Sequence, residues 1–493
     1  MDRFIGIDLG TSSVKLLLTD EEGRVEKTTS RSYPISFPQV GWSEQDPADW
    51  WRGVLSGLAE ILDGIDKNSV RGICCAGQMH GLVALDENDE VIRPCILWND
   101  GRTAPQTDWL NTEVGRSRLT EFTGNIAFAG FTAPKLLWMR ENEPENFTRI
   151  SRIMLPKDYI NYMLTGVHSC DYSDASGMLL LDVRNRCWSR EMMEICHVSE
   201  DMMPFLFESW EVTGVVRSEI AEMLGLSTDV RVCAGAGDNA AAAVGTGTVG
   251  KGACNISLGT SGTIFIPSDG FAVDPNNALH AFCHADGRWH LMGCILSAAS
   301  CNNWLCDSIL GTKDFAAEQE MITDDMLGRN RVFFLPYLMG ERSPINDTDA
   351  RACFVGMSMD SRREDMVQAV LEGVAFALRD CMEVAHSLGV RAESTMLCGG
   401  GAKSVLWRRI IANVLDMTID IPGCEEGPGY GAAMLAMVGC GVFSTVEECC
   451  RALIGVRESI SPDPDIAAVY NERYVRFRRI YPALKGFFSG NAD

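Results

Sequence analysis

The chain has 493 residues, with 43 lysines and arginines against 67 aspartates and glutamates, so its formal net charge is -24. Long-range charge repulsion therefore excludes nucleic acid and anionic membrane surfaces as partners. With 46% hydrophobic and 22% charged residues, a chain of this length is expected to fold as two domains of about 200 to 250 residues each.

The 19 cysteines indicate a reducing compartment. They are scattered, several lie in apolar runs, and no pair has the CxxC spacing of a zinc site. Acids at Asp2 and Asp8 argue against a secretory signal, and no run approaches the roughly 18 consecutive apolar residues of a membrane span. We therefore expect a cytoplasmic protein with reduced thiols.

Residues 4–19, FIGIDLGTSSVKLLLT, contain two apolar runs joined by a turn of small polar residues from Gly10 to Ser13. This pattern predicts a β-hairpin. Asp8 lies inside the first run, where a carboxylate is costly unless it is paired or binds a metal. The hairpin is therefore the first indication of a functional site.

The next segments predict a helix at 50–61 and a buried strand at 70–76. His80 follows that strand, directly after Met79. On these residues alone, a satisfied core histidine and a histidine at the edge of a polar pocket are equally well supported.

Trp98, Asp100 and Arg102 form a polar cluster after another short apolar run. A buried Asp–Arg pair that supports a loop is one interpretation. Direct contact with a ligand is the other, and the sequence leaves both open.

Residues 233–247, CAGAGDNAAAAVGTG, lie near the midpoint of the chain and carry a single acid. Gly235 and Gly237 permit close backbone approach, and the alanines after Asn239 favour a helix that begins at Asp238. Asp238 as a helix cap and Asp238 as a functional carboxylate at a strand-to-helix turn are equally supported by this stretch.

Residues 255–265, NISLGTSGTIF, repeat the pattern of the first hairpin, with Ser257 in the place of Asp8. This similarity indicates an internal duplication in which only the first copy carries the charge. The second copy again places small polar residues in the turn, where backbone N–H groups are available to an anion.

A third turn of small residues follows a β-like run at 395–398 and extends from Gly399 to Ser404. Apolar residues then recur at helical spacing, so the order is strand, glycine turn and helix, which suits a nucleotide at the backbone. Residues 366–386 predict a long core helix, and residues 465–488 predict a helical tail that serves packing.

Together these segments supply the parts for phosphoryl transfer from ATP. Backbone N–H groups hold a polyphosphate, one carboxylate holds Mg²⁺ through water, and a second accepts a hydroxyl proton. Asp8 and Asp238 are the two candidate carboxylates.

With these motifs in place, the chain resembles the FGGY carbohydrate kinases, within the sugar kinase, actin and heat-shock ATPase superfamily. Residues 130–142 (GFTAPKLLWMREN), with Lys135 and Trp138, are similar to the first family signature, and residues 352–372 (ACFVGMSMDSRREDMVQAVLE) to the second. Further matching stretches are GQMHG at 77–81, LWNDGR at 97–102, LPKDY at 155–159, GAGDNAAA at 235–242 and LPYLMGER at 335–342. The likeness runs essentially from end to end.

The resemblance implies an α/β fold of two ribonuclease H-like domains, residues 1–246 and 247–493, with the active site in the cleft between them. Each domain would contain a five-stranded mixed sheet. The first would carry the sugar site, one phosphate hairpin and the catalytic aspartate, and the second would carry the other hairpin and the adenosine site.

The resemblance also implies roles for individual residues. Asp238 falls on the catalytic base, Met79 and His80 fall on the sugar-contacting pair, and Asp238 and Asn239 would hold the adjacent hydroxyls. Asp8 falls on the acid that organises Mg²⁺, through water. The expected ATP and phosphate contacts are Gly10, Thr11, Ser12, Gly259, Thr260, Ser261, Gly400, Gly401 and Ser404, and the expected pocket supports are Trp98, Asp100 and Arg102.

The implied activity is phosphorylation of D-xylulose by ATP with Mg²⁺ as cofactor. Another ketopentose, a polyol or a sugar acid is the alternative acceptor. A non-catalytic nucleotide sensor is the alternative from a different class, but such a regulator usually carries an added DNA-binding segment, and we expect none before residue 4. A homodimer is left open.

Overall fold

The computed structural model describes residues 1–424 and 426–489. The first half of the chain folds around a six-stranded mixed sheet with the strand order β5-β6-β4-β1-β2-β3. Its strands are β1 (Arg3–Leu9), β2 (Ser13–Asp20), β3 (Val25–Ser32), β4 (Val70–Gly77), β5 (Val212–Val215) and β6 (Arg231–Gly237). β1 pairs antiparallel with β2 and parallel with β4, and β4 pairs parallel with β6.

The second half folds around a seven-stranded sheet with the order β9-β10-β8-β7-β11-β12-β13. Its strands are β7 (Asn255–Leu258), β8 (Gly262–Ser268), β9 (His280–Cys283), β10 (Trp289–Ile295), β11 (Ser394–Cys398), β12 (Thr418–Pro422) and β13 (Val456–Ile460). β7 pairs antiparallel with β8 and parallel with β11, so the predicted duplication is present in the pairing as well as in the sequence.

The expectation of five strands in each sheet was wrong in number. The series β3-β2-β1-β4-β6 and β10-β8-β7-β11-β12 have the same five-stranded arrangement, and edge strands extend it. β5 and β13 each add antiparallel to the last parallel strand, and β9 adds at the opposite edge of the second sheet.

The helices that bear on the site are α1 (Pro47–Ile61), α2 (Thr132–Asn142), α3 (Pro156–Thr165), α4 (Asp238–Gly245), α5 (Arg363–Ser387), α6 (Val405–Leu415), α7 (Gly427–Gly439), α8 (Pro464–Phe477) and α9 (Ile480–Phe488). α1 and α5 confirm two predicted helices, and α8 and α9 form the predicted helical tail. Shorter helices span Ala104–Trp109, Arg116–Thr123, Pro144–Thr148, Tyr172–Ala175, Arg190–Cys196, Ser218–Leu224, Ala299–Asn303, Phe315–Glu320 and Val446–Leu453.

Helix α1 illustrates how local sequence specifies an element. The Asp46 side chain caps the helix by accepting a backbone N–H, and Pro47 occupies the first position, where the missing N–H has no helical partner. Trp50, Val54 and Leu58 recur on one face and are buried in the core beneath the first sheet. The opposite face of that sheet is covered by α4 and α7.

Helix α7 comes from the second half of the chain but packs on the first sheet and on α4. The contact is closer than side chains permit, because a Cβ on Gly6 would lie 1.9 Å from the carbonyl oxygen of Gly429. A Cβ on Gly431 would lie 1.9 Å from the carbonyl oxygen of Ala241. The boundary at residues 246 and 247 stays a prediction, since the two sheets lie on either side of it while α7 returns to the first.

No helix in residues 1–424 and 426–489 is both long and apolar enough to cross a membrane. All 19 cysteines lie within those ranges, and most of them are buried. The thiols therefore contribute to packing as small apolar groups.

Candidate functional site

The predicted residues of the first half meet at one edge of its sheet. β1, β4 and β6 run parallel, so their carboxyl ends lie side by side. Asp8 pairs in register with Ala76, and Gly237 pairs with Gly77. This arrangement brings together Asp8, the segment after β4 and the start of α4, although they are far apart in sequence.

Asp238 is the first residue of α4, and Gly237 occupies the cap position, so the helix-cap interpretation of Asp238 was wrong. The carboxylate accepts two hydrogen bonds through Oδ1, from the backbone N–H (2.7 Å) and from the side-chain amide (2.9 Å) of Asn239. Its Oδ2 has no hydrogen-bond partner in the described chain. One oxygen is thus fixed and the other is available to a proton or a ligand.

The electrostatics of the two acids differ from those of surface carboxylates. Burial raises the pKa of Asp8 to about 6, with Lys15 opposing the shift, and burial together with the charge of Asp8 raises the pKa of Asp238 to about 7. Lys15 itself forms an ion pair with Glu426. A carboxyl whose pKa lies near the working pH is suited to accept and release a proton.

A buried polar network lies behind the Asp238 turn. The N–H of Gly237 donates to Ser173 Oγ (3.1 Å), and the Ser173 hydroxyl donates to Asp171 Oδ2 (2.5 Å). Lys157 Nζ is 2.9 Å from Asp171 Oδ1 and 2.6 Å from Asp158 Oδ1, and all three side chains are fully buried. Apart from the LPKDY stretch, no sequence pattern indicated these residues, because their partners come from three separate elements.

Met79 and His80 lie next to Asp238 and Asn239. The Met79 side chain packs against Gly237, where an added Cβ would lie 3.0 Å from it. Burial, with the charges of Lys135 and Arg342, lowers the pKa of His80 to about 3, so its ring is neutral at neutral pH. The Met79 side chain, one member of the expected sugar-contacting pair, therefore lies beside the expected base at the carboxyl edge of the first sheet.

Two parts of the Trp98–Arg102 loop have different contacts. Arg102 forms a bidentate ion pair with Asp100 (2.7 and 2.9 Å), forms a second ion pair with Glu44 (2.7 Å) and stacks on Trp42 at 3.7 Å from the ring centroid. These contacts support the loop-supporting interpretation of Asp100 and Arg102. Trp98 is exposed, and its Nε1 donates to Thr11 Oγ1 (2.9 Å), which links the loop to the first phosphate hairpin.

The two predicted phosphate hairpins are tight turns with available donors. Gly10 N–H bonds Ser13 O (3.0 Å) and closes the first turn, and the carbonyl of Thr260 accepts the N–H of Ala298 (2.9 Å) in the second. Four other N–H groups of these turns have no acceptor among the described residues. The groups concerned are those of Thr11, Ser12, Thr260 and Ser261, which leaves them available to phosphate oxygens.

A cavity of about 490 Å³ joins the two halves of the site. Asp238 and Asn239 line one part of it, and Gly400 and Lys403 line another. Its size falls within the range typical of small-molecule pockets. Its lining therefore includes the Asp238 carboxylate predicted for phosphoryl transfer and the glycine turn before α6 predicted for nucleotide binding.

A second cavity of about 580 Å³ lies against the other side of the glycine turn and shares Gly400 and Lys403 with the first. Gly401 and Ser404 line it as well. The Ser404 hydroxyl accepts the N–H that caps α6 and donates to Gln319 Oε1 (2.5 Å). Gln319 was not predicted from the sequence, because it lies in a short acidic helix without a recognisable motif.

The chain is similar to known proteins over nearly its whole length. Residues 3–245 match the N-terminal domain, and residues 254–440 the C-terminal domain, of the FGGY family of carbohydrate kinases. Xylulose kinase of Escherichia coli (strain K12) is 42% identical over 483 residues, which cover 98% of this chain and 99% of that protein.

Two solved structures have closely similar folds. The crystal structure of a xyloylose kinase from Brucella ovis has a TM-score of 0.94 and 39% identity, with 98% of this chain and 100% of that chain covered. The crystal structure of gluconate kinase from Lactobacillus acidophilus has a TM-score of 0.94 and 25% identity, with 99% of each chain covered. The fold is therefore shared by kinases whose names specify different acceptors.

Proposed function

The chain belongs to the FGGY family of carbohydrate kinases, and on that premise we propose that it transfers the γ-phosphoryl group of ATP to the 5-hydroxyl of D-xylulose. The products are D-xylulose 5-phosphate and ADP. The observation that carries the assignment of the site is the meeting of a half-buried, unpaired carboxylate with the Met79–His80 pair at one sheet edge.

In this proposal Asp238 is the general base. Its free Oδ2 accepts the proton of the sugar hydroxyl while the sugar oxygen forms a bond to the γ-phosphorus and the bond to the β–γ bridging oxygen breaks. Asn239 holds Oδ1 and so fixes the direction of Oδ2. The sugar is bound on the side of Met79 and His80.

The nucleotide is proposed to extend along the two cavities, with its adenosine against the turn of Gly400, Gly401 and Ser404. Its phosphate oxygens would accept hydrogen bonds from the available N–H groups of the two hairpin turns, those of Thr11, Ser12, Thr260 and Ser261. These donors stabilise the charge that spreads over the γ-phosphoryl oxygens in the transition state.

Mg²⁺ fits the donor set at this edge. The described residues contain no group of three or more acidic, histidine or cysteine side chains arranged for a metal, but Mg²⁺ is commonly held by one or two carboxylates, water and substrate phosphates. Asp8, acting through water, is the residue that would hold it. When bound, the ion neutralises phosphate charge and orients the γ-phosphoryl group.

The test of the acceptor is an ADP-release assay with Mg²⁺ and a panel of D-xylulose, D-ribulose, glycerol and D-gluconate, with the product position determined by NMR. We expect D-xylulose to have the highest kcat/KM, with phosphate on carbon 5. If another acceptor exceeds it by tenfold or more, the xylulose assignment is wrong, whereas the assignment to the family is unaffected.

The proposal also concerns the cellular compartment and the oligomeric state. The scattered and mostly buried cysteines support work in the reducing cytoplasm, where disulfides are rare. The sequence left open whether the chain forms a homodimer, and light scattering tests this. A dimer would have a mass of twice 54.1 kDa.

A further inference from the structure

His80 has an unusual backbone. Its φ is 71°, in the left-handed region that residues other than glycine rarely occupy. Such a conformation persists only where surrounding contacts hold it, and it is commonly found at functional sites. The contacts that hold His80 are therefore candidates for a role in sugar recognition.

Two side chains of helix α2 donate to the carbonyl of His80. Lys135 Nζ lies 2.7 Å from His80 O, and Thr132 Oγ1 lies 3.0 Å from the same atom. Lys135 also donates to the carbonyl of Gly130 (2.7 Å). These two carbonyls are its only hydrogen-bond partners in the described chain, and its side chain is completely buried.

A buried lysine without a carboxylate partner is costly to the fold. Burial lowers the pKa of Lys135 to about 7, but the two hydrogen bonds to carbonyls are available in both protonation states, because a neutral amine retains two N–H groups. Since an apolar side chain would fill this space at a lower cost, the position of Lys135 calls for a functional reason.

The imidazole ring is fixed as firmly as the backbone. Its Nδ1 lies 2.7 Å from Gly177 O, and its ring stacks on Phe131 with 4.7 Å between centroids. A carbonyl oxygen only accepts, so Nδ1 carries the proton, and the neutral ring leaves Nε2 as an acceptor. Nε2 has no partner in the described chain and is not an enclosed atom. It is therefore available to accept a hydroxyl hydrogen.

We propose that Lys135 is a positioning residue that sets the affinity for the acceptor sugar, by holding the His80 carbonyl so that Nε2 is directed at a sugar hydroxyl. This inference rests on the proposed role of His80 in the sugar site. Lys135, which lies in the first family signature, would thus affect sugar recognition through His80 without touching the substrate.

The competing interpretation is that Lys135 serves stability alone. The two interpretations differ in a kinetic measurement, because a positioning residue changes the KM for the sugar while leaving the KM for ATP unaffected. A purely structural residue lowers the folded fraction and leaves both KM values unchanged.

The experiment measures kcat and both KM values for Lys135→Met, Thr132→Val and Met139→Ala in the full chain. We expect Lys135→Met to raise the sugar KM about tenfold or more, since small displacements of a positioning group have effects of this size. Thr132→Val should act in the same direction and provides the test if Lys135→Met does not fold. Met139, fully buried on the same helix, is the control for lost packing, and its variant should leave the sugar KM unchanged.

A double-mutant cycle with His80→Ala separates the possible failures. If Lys135 acts through His80, adding Lys135→Met to His80→Ala changes the sugar KM less than twofold. Additive effects, or a lysine variant with a normal sugar KM beside an impaired His80→Ala, would overturn the inference alone. A normal sugar KM in His80→Ala itself would overturn the proposed sugar site.

Discussion

One substitution at Asp238 tests catalysis and stability together, because the pKa of its carboxyl is raised. Its carboxyl has a pKa of about 7 against an ordinary 3.8, because of burial and then the charge of Asp8. Three pKa units correspond to about 4 kcal/mol for a fully enclosed group. Since the side chain is partly open to the cleft, water reduces this value, and we expect the ionised carboxylate to destabilise the fold by about 1–2 kcal/mol at pH 8.

The sign of the effect follows from the direction of the shift. The folded-state pKa lies above the unfolded value, so the stabilising contribution of this group is fully present below about pH 4 and is lost as the pH rises through about 7. Asp238→Asn replaces the carboxylate with a neutral isostere that still accepts from Asn239. The variant should therefore unfold a few degrees above the wild type at pH 8, and more than half of this difference should disappear at pH 5.

The same substitution should lower kcat by about 10²–10⁴-fold, the usual contribution of a general base, with the KM for ATP changed little. In the wild type, kcat/KM should increase with pH through about 7 as Asp238 loses its proton. Calorimetry at pH 5 and pH 8 and an ADP-release assay measure both effects, and Asp229→Asn, at an exposed aspartate, is the matched control. A near-normal kcat would refute the role as base, and a variant less stable than wild type at pH 8 would refute the electrostatic argument.

Three further substitutions test the site and its support. Asp8→Asn should raise the Mg²⁺ concentration for half-maximal rate about tenfold or more, measured by metal titration, and an unchanged requirement would remove Asp8 from the metal site. Gly235→Ala should cost more than about 3 kcal/mol in denaturant unfolding, because its φ is +80° and a Cβ would lie 1.9 Å from a backbone carbonyl oxygen. Gly389→Ala, with φ +81° in open space, should cost only about 1 kcal/mol, and equal losses would contradict the role of steric overlap. Arg102→Met should lower stability by about 3–5 kcal/mol with kcat little changed, because it leaves the buried Asp100 without its cation while Glu44 keeps its ion pair with Arg93. A large loss of kcat at normal stability would instead indicate contact with the substrate.

Features that depend on neighbours in the chain were predicted correctly. The glycine-rich turns at Gly10 and Gly259 form hairpins, and the proline and apolar spacing at 47–61 form helix α1. The order of strand, glycine turn and helix is also present, with Ser404 as the cap of the helix. These succeed because turn chemistry and apolar periodicity act over a few residues.

The structural contacts that bear on the interpretations left open by the sequence come from distant partners. Asp238 proved to be the first residue of its helix because Gly237, held by Ser173, takes the cap position. Asp100 and Arg102 support a loop because Glu44 and Trp42 lie against them. Ser173, Glu44 and Trp42 are all distant in the chain from the residues that they contact, so no local pattern indicates them.

The sequence by itself determined the duplicated hairpins, the two candidate carboxylates and, through its motifs, the family. Only the tertiary structure decided which carboxylate oxygen is free, how Lys135 reaches His80, and that helix α7 of the second half packs on the first sheet. The physical reason is that local conformation depends on torsional preferences and apolar spacing along the chain. The pKa of a buried acid, the tautomer of a histidine and the contact between two glycine-rich backbones depend instead on atoms that packing brings together from hundreds of residues apart.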